Sequence, residues 1–332
     1  MISTRNQLLD KILQIKPQNF KEVALEVFRF QAKHNAIYNH FLEILNINPE
    51  KIDDLDKIPF LPIQFFKKHA IKTGEWSPEV IFTSSGTTGQ TPSQHFVKDI
   101  NWYNSITQKG FEEHYGKVED FCFLALLPSY LERSGSSLIQ MVDFFIKKSK
   151  YAESGFFLYN HEELVKRLDI LKEKNIPTVL IGVSFALWNL AENFTSDYNN
   201  ITIMETGGMK GKRKEITRAE LHSILNNAFH TSTIHSEYGM TELLSQAYSK
   251  GKGIFEPTST MDLIIREVTD PFATQKMGKA GVVNIIDLAN IDSCSFIATE
   301  DLGRKINDNQ FEILGRLDAG DMRGCNLMVL EE

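Results

Sequence analysis

The sequence predicts an α/β protein: a largely parallel sheet flanked by helices, followed by a small antiparallel β subdomain. Three observations carry this. Phe121–Leu127 and Thr178–Val183 are near-continuous apolar runs, the pattern of strands buried on both faces. Segments of helical spacing alternate with them, as at 162–175 and 184–193. From about residue 254 that alternation stops, and strand-like stretches follow one another at 261–265, 281–286, 295–298 and 311–314. The boundary is placed accordingly, with 1–253 as the α/β core and its helical N-terminal segment, and 254–332 as the β subdomain, a vestigial hinge and a tail.

The elements follow in order. Residues 1–48 carry helical spacing, first in Leu8, Leu9, Ile12, Leu13, then Val23, Val27, Phe30, then Tyr38, Phe41, Leu42, Leu45, with Asn19 as an expected N-cap. Two prolines in Ile58-Pro59-Phe60-Leu61-Pro62-Ile63 end the helical region. Val80–Phe82 reads as a strand end and His95–Val97 as a short returning strand. A helix is expected over 99–115, a strand over 120–127, and a helix over 138–147. Ile201–Met204 and the segment entering His235 read as further strands, separated by a helix over 218–229. Polar Gly/Ser/Thr stretches sit just after several strands, where open α/β sheets bind ligands.

Composition limits the function classes. The 332 residues are 42% hydrophobic and 24% charged, as in soluble globular proteins, with a net charge of −7 that argues against nucleic-acid binding. The Lys210, Lys212, Arg213, Lys214 cluster reads as a solvated loop. Cys122, Cys294 and Cys325 are widely spaced and odd in number, so neither disulfides nor a zinc site is expected. No run approaches a membrane span and the N-terminus lacks a signal-peptide core, which leads to the expectation of a cytoplasmic protein.

Four stretches could carry chemistry. Thr83-Ser84-Ser85-Gly86-Thr87-Thr88-Gly89 is dense in hydroxyls and glycine. Hydroxyls and closely approaching backbone N–H groups can wrap a polyphosphate; a flexible surface loop is the competing reading. Neither a Walker A loop nor a dinucleotide fingerprint is present. Tyr238-Gly239-Met240-Thr241-Glu242 joins an aromatic face, a turn, a hydroxyl and a carboxylate. Glu242 beside phosphates makes sense mainly through Mg²⁺; the alternative is a turn opening a helix capped by Thr241. Thr299-Glu300-Asp301-Leu302-Gly303-Arg304 places an acid after a strand, suited to ribose hydroxyls or to a plain strand-end turn. Gly182-Val183-Ser184-Phe185-Ala186 also has the form of a nucleophile elbow, with His230 and His235 downstream.

These motifs, with Gly315-Arg316-Leu317-Asp318 and Arg323-Gly324 after it, occur in an order that resembles the adenylate-forming superfamily of acyl-CoA synthetases, peptide-synthetase adenylation domains and luciferases. Phe30-Gln31, Asn35, Tyr38 and Ile58–Lys67 are similar to the LuxE-type acyl-protein synthetase branch, which activates a fatty acid with ATP and passes it to a protein thiol. The resemblance covers nearly the whole chain and implies the fold of that superfamily's N-terminal adenylation domain. It also implies roles. Thr83, Ser84, Ser85, Gly86, Thr87, Thr88 and Gly89 would hold the β- and γ-phosphates, and Gly207 and Gly208 would line the adenine and acyl pocket. Tyr238 would stack on adenine, Thr241 would contact the α-phosphate, and Glu242 would hold Mg²⁺. Asp301 would bind the ribose with Arg316 nearby, and Asp318 would be the hinge.

Two departures accompany the resemblance. The superfamily loop usually ends in Pro-Lys, whereas Pro92 is followed here by Ser93. The sequence ends at Glu332, so the lid domain and its lysine are expected to be truncated or absent, with Arg133 or Lys98 as candidate replacement cations. Cys325 on its short tail is a candidate acyl-accepting thiolate or a small buried side chain. The expected partners are a small carboxylic acid and ATP, with Cys325, an acceptor protein, carrier pantetheine or coenzyme A as the thiol; a homo-oligomer stays open. The 23 phenylalanines suit an acyl pocket or a core equally. The alternatives are a non-catalytic nucleotide- or acyl-binding subunit, and a serine acyltransferase or thioesterase at Ser184.

Overall fold

The computed structural model describes residues 2–84, 91–128, 135–208 and 213–317. The first helices are α1 (Ile2–Leu13), α2 (Phe20–His34) and α3 (Ala36–Ile44). They are followed by β1 (Leu61–Pro62), α4 (Phe65–Lys68), and the strands β2 (Val80–Thr83) and β3 (Gln94–Val97). The alternating region runs α5 (Ile100–Tyr115), β4 (Cys122–Leu126), α6 (Ser137–Lys148), β5 (Gly155–Phe157), α7 (His161–Glu173), β6 (Thr178–Val183), α8 (Ser184–Asn193), β7 (Ile201–Thr206) and α9 (Arg218–Phe229). Seven strands complete the described chain: β8 (His235–Tyr238), β9 (Ala247–Ser249), β10 (Ile254–Pro257), β11 (Met261–Arg266), β12 (Gly281–Asp287), β13 (Phe296–Asn307) and β14 (Gln310–Arg316).

The chain divides into two compact units. The first comprises Met1–Ile100, Glu242–Ser245 and Ser259–Glu332; the second comprises Asn101–Thr241 and Gln246–Thr258.

In the first unit, β11, β12, β13 and β14 form an antiparallel sheet in that order, and β1 adds to β13 in parallel, with Leu61 opposite Ile297. β2 and β3 form a separate two-stranded ribbon. The helices are fixed to this unit by an aromatic cluster, in which Phe28, Tyr38 and Phe60 surround Phe296 at centroid distances of 5.7, 6.2 and 6.1 Å. Buried amides complete the attachment. Gln31 Nε2 donates to the Asn290 carbonyl at 2.9 Å, and Gln31 Oε1 accepts from the Ser295 N–H at 2.9 Å. Asn35 caps α3 by accepting from the Tyr38 N–H and donates to the Ser293 carbonyl at 2.8 Å. Asn19 precedes α2 but does not cap it, because its side chain accepts instead from the Lys16 N–H at 2.8 Å.

In the second unit the sheet order is β10-β9-β8-β7-β6-β4-β5, parallel from β5 to β8 and antiparallel through β9 and β10. β4 and β6 are buried at every position, as their apolar runs predicted. Phe111 of α5 and Phe145 of α6 pack on Phe123 of β4 at 5.4 Å each. α6 starts at Ser136, whose hydroxyl accepts from the Ile139 N–H, and α9 starts with a Thr217–Glu220 capping box. α9 stops at His230, whose φ of +48° is left-handed.

Candidate active site

In the first unit the hydroxyl-rich loop leaves β2 and returns on β3. The ladder runs from Val80 opposite Val97 to Thr83 opposite Gln94. Two further bonds close the loop's base: the Ser84 N–H donates to the Ser93 carbonyl at 3.1 Å, and the Ser93 N–H donates to Ser84 Oγ at 2.8 Å. Ser85, Gly86, Thr87, Thr88 and Gly89 lie outside the described residues.

Glu242 meets this base. It is 6% exposed, and burial pushes its carboxyl above the ordinary range. A hydrogen bond from Ser93, its own backbone N–H and the charge of Arg316 oppose that push, while Asp301 adds to it. Ser93, standing where the resembling loops carry lysine, is therefore a direct partner of Glu242. Asp301 and Arg316 are opposite one another in the β13–β14 ladder, and Arg316 Nη2 lies 3.4 Å from Glu300. Ser84, Ser93, Glu242, Asp301 and Arg316 thus form one electrostatic neighbourhood, built from β2–β3, the 242–245 segment and the β13–β14 ladder. Asp301 lies inside a strand that continues to Asn307, rather than in the turn expected after residue 298. A register shift between Leu302 and Gly303 breaks the ladder beside it.

Two residues the sequence did not single out hold Glu242. Asp287 is fully buried, and its Oδ2 accepts from the N–H groups of Leu244 and Ser245 at 2.8 and 3.0 Å. Its Oδ1 accepts from Ser245 Oγ at 2.6 Å and from the Ala289 N–H at 3.1 Å. Asn290 Nδ2 donates to the Glu242 carbonyl at 2.7 Å. These bonds replace the intrahelical bonds of the helix that was an alternative reading at Thr241; residues 241–246 form a turn and extended chain.

In the second unit, Gly207 has a φ of +69° that favours glycine, and its carbonyl accepts from Ser184 Oγ at 2.6 Å. Ser184 Oγ also lies 3.2 Å from Glu205. Burial alone would raise Glu205; the His222 hydrogen bond, the Arg218 charge and the Ser236 hydrogen bond overcome it and hold the carboxyl below its usual range. Ser184 is 3% exposed and fixes the Gly207 turn. His235 Nδ1 lies 3.1 Å from the Tyr115 hydroxyl, and His230 ends α9. Tyr238, at the end of β8, packs edge-on to Phe255 at 5.9 Å. Gly208 and Thr241 lie in the turns after β7 and β8.

Lys98 Nζ lies 3.7 Å from Asp292, which Arg5 also binds. Arg133, Asp318 and Cys325 lie outside the described residues. Among the described residues no group of three or more His, Cys, Asp or Glu side chains is arranged around a metal site, and no helix is long and apolar enough to cross a membrane.

No family model matches the chain, and no curated protein matches it in sequence. Solved structures do match its fold. An open conformation of 2-hydroxyisobutyryl-CoA ligase in complex with 2-HIB-AMP and CoA aligns with a TM-score of 0.66 at 11% identity, over 90% of this chain and 70% of that one. ATP-bound MatB from Rhodopseudomonas palustris aligns with a TM-score of 0.54 at 14% identity, over 73% of this chain and 49% of that one. A double mutant of o-succinylbenzoate CoA synthetase (MenE) from Bacillus subtilis aligns with a TM-score of 0.51 at 17% identity, over 71% and 48%. The chain spans about half the length of the MatB structure it matches. The chain shares its α/β fold with these structures.

Proposed function

We propose that the chain activates a carboxylic acid with ATP as an acyl-adenylate and transfers the acyl group to a thiol. The observation that carries this is the bonding of buried Glu242 to Ser93 at the base of the hydroxyl-rich loop, with Asp301 and Arg316 beside it. The structural neighbours, solved with ATP, with 2-HIB-AMP and with CoA, support the reading.

The chemistry follows from the residue types. An oxygen of the substrate carboxylate attacks the α-phosphorus, the bond to the bridging oxygen breaks, and pyrophosphate leaves. A thiolate then attacks the acyl carbon and AMP leaves. Thr83, Ser84 and the loop through Gly89 would hold the β- and γ-phosphates, with Thr241 near the α-phosphate. Tyr238 would take the adenine, Gly207 and Gly208 would border adenine and acid, and Asp301 would accept from the ribose hydroxyls. Glu242 fits Mg²⁺: a single anionic carboxylate beside phosphates suits an ion that takes most of its ligands from phosphate and water. When bound, that ion would offset phosphate charge. Within this reading the substrate is a fatty acid and the chain is LuxE-like; the acceptor is Cys325, a partner protein, carrier pantetheine or coenzyme A.

Acid-dependent exchange of pyrophosphate into ATP tests the first half. We expect exchange with the wild type and a loss of about 10²-fold or more in Glu242→Ala. Radioactive acid retained after denaturation, and lost in Cys325→Ser, tests the internal thiol. Thioester hydrolysis that needs Ser184 and no ATP would overturn the ligase reading.

A further inference from the structure

The side of the second unit's sheet that faces α5 carries a row of polar side chains. Thr206 of β7 is opposite Glu237 of β8, which is opposite Tyr248 of β9. Partners opposite one another point to the same face. Thr258 follows β10, its N–H donating to the Gln246 carbonyl at 3.2 Å. All four are buried, at 5, 8, 1 and 3% exposure. Thr206 Oγ1 donates to Glu237 Oε2 at 2.5 Å. The other carboxylate oxygen lies directly under the chain at Gly239, where a Cβ would come within 2.6 Å of it. Tyr248 is walled by Phe111, His114 and Tyr115 of α5, and α5 approaches Thr258 closely at Gly110. Within this wall of aromatic rings, Tyr248 Oη and Thr258 Oγ1 have no hydrogen-bond partner among the described residues.

A core seldom buries two hydroxyls without giving them partners. A ligand that both gives and takes a hydrogen bond would supply them. The row also borders the turns assigned above to acid and nucleotide, since Thr206 precedes Gly207 and Glu237 precedes Tyr238 and Gly239. We propose that Glu237, Tyr248 and Thr258 bind a hydroxyl carried on the activated acid, so that the substrate is a hydroxylated carboxylic acid and not a plain alkanoic acid. This rests on the adenylation reading. Tyr248 donates to the substrate hydroxyl oxygen, the substrate hydroxyl donates to Glu237, and Thr258 takes the remaining position.

Pyrophosphate exchange with chain-matched plain, hydroxy and amino acids tests it, in wild type and in Tyr248→Phe and Thr258→Val. A site built to bond a hydroxyl rejects the analogue that lacks it, and we expect at least about 10²-fold preference in kcat/KM for one hydroxy acid. Tyr248→Phe should bring that ratio within about threefold of unity, and circular dichroism should show whether it stays folded. Equal rates with plain and hydroxy acids, or a ratio unmoved in both folded variants, overturns the assignment and leaves adenylation standing. A preference for amino acids overturns the hydroxyl and keeps the carboxylate. No exchange with any acid overturns the adenylation reading itself, and the hydroxyl site falls with it.

Discussion

Replacing Asp287 by Ala should unfasten the 242–245 segment and so disturb Glu242 without touching it. Three backbone donors, those of Leu244, Ser245 and Ala289, would lose their acceptor. The Ser245 hydroxyl would keep Thr260, 2.7 Å away. A buried donor left without an acceptor costs about 1–3 kcal/mol. Water entering the space of the lost carboxylate keeps each near the lower end, so the total is about 3–5 kcal/mol, a large part of the 5–15 kcal/mol by which domains are typically stable. Asp287→Asn should cost less. Its remaining oxygen can serve Leu244 and Ser245, and its amide can donate to Ser245 Oγ while that hydroxyl turns to Thr260. Only the bond from the Ala289 N–H is then lost, at about 1–3 kcal/mol. Urea unfolding at unchanged slope gives both numbers, and pyrophosphate exchange should fall in the same order, Ala below Asn. A loss under about 1 kcal/mol in the Ala variant, or an Asn variant as damaged as Ala, would refute the clamp.

Ser93→Ala removes a bond that holds the Glu242 carboxyl down, so its pKa rises and the pH at which exchange activity appears should move upward; Ser93→Thr should restore it. Glu237 is pushed up to about 7 by burial, with the Glu205 charge adding to it against the Thr206 bond. Its folded pKa exceeds the unfolded value near 4.5, so its contribution is full below that value and is lost as pH rises through about 7. Denaturant titrations should therefore show Glu237→Gln gaining on the wild type across that window, by about 3 kcal/mol. Gly281→Ala should destabilise by about 1–3 kcal/mol or more in the same assay, because its Cβ would lie 2.2 Å from the Arg266 carbonyl oxygen across the β11–β12 ladder. Gly155→Ala, where nothing lies within 4 Å, is the control, expected within about 0.5 kcal/mol.

The parallel strands were legible because burial on both faces leaves an unbroken apolar run, as in β4 and β6, and because helical spacing separates them. β5 and β9 have three residues each, too few for any period to register, and β10 ends in a proline. β13 reads as ending near Ala298, because its second half, Thr-Glu-Asp-Leu-Gly-Arg, pairs in a half-exposed ribbon where apolar alternation is not required. At the proposed site, hydroxyl and glycine density pointed to the loop, and motif order pointed to Glu242, Asp301 and Arg316. Asp287, Asn290 and Glu237 carried no local signal for the site, because the partners that tie them to it are set by strand register or lie at least 40 residues away, and the local bond of Asp287 to Ala289 marks only a turn. Gln31, Asn35 and Tyr38, part of the LuxE-like pattern, fasten helices to the segment around Ser293.

The first unit is interrupted by the second, and this orders events during synthesis. Gln31 and Asn35 bond to backbone some 260 residues downstream. At the usual 5–20 residues per second, those acceptors leave the ribosome roughly a quarter of a minute to a minute after the amides that need them. Meanwhile Asn101–Thr241 emerges whole and is free to condense first. The leading helices must wait with Phe28 and Tyr38 uncovered, which makes the nascent chain a natural client for chaperones that shield apolar helix faces.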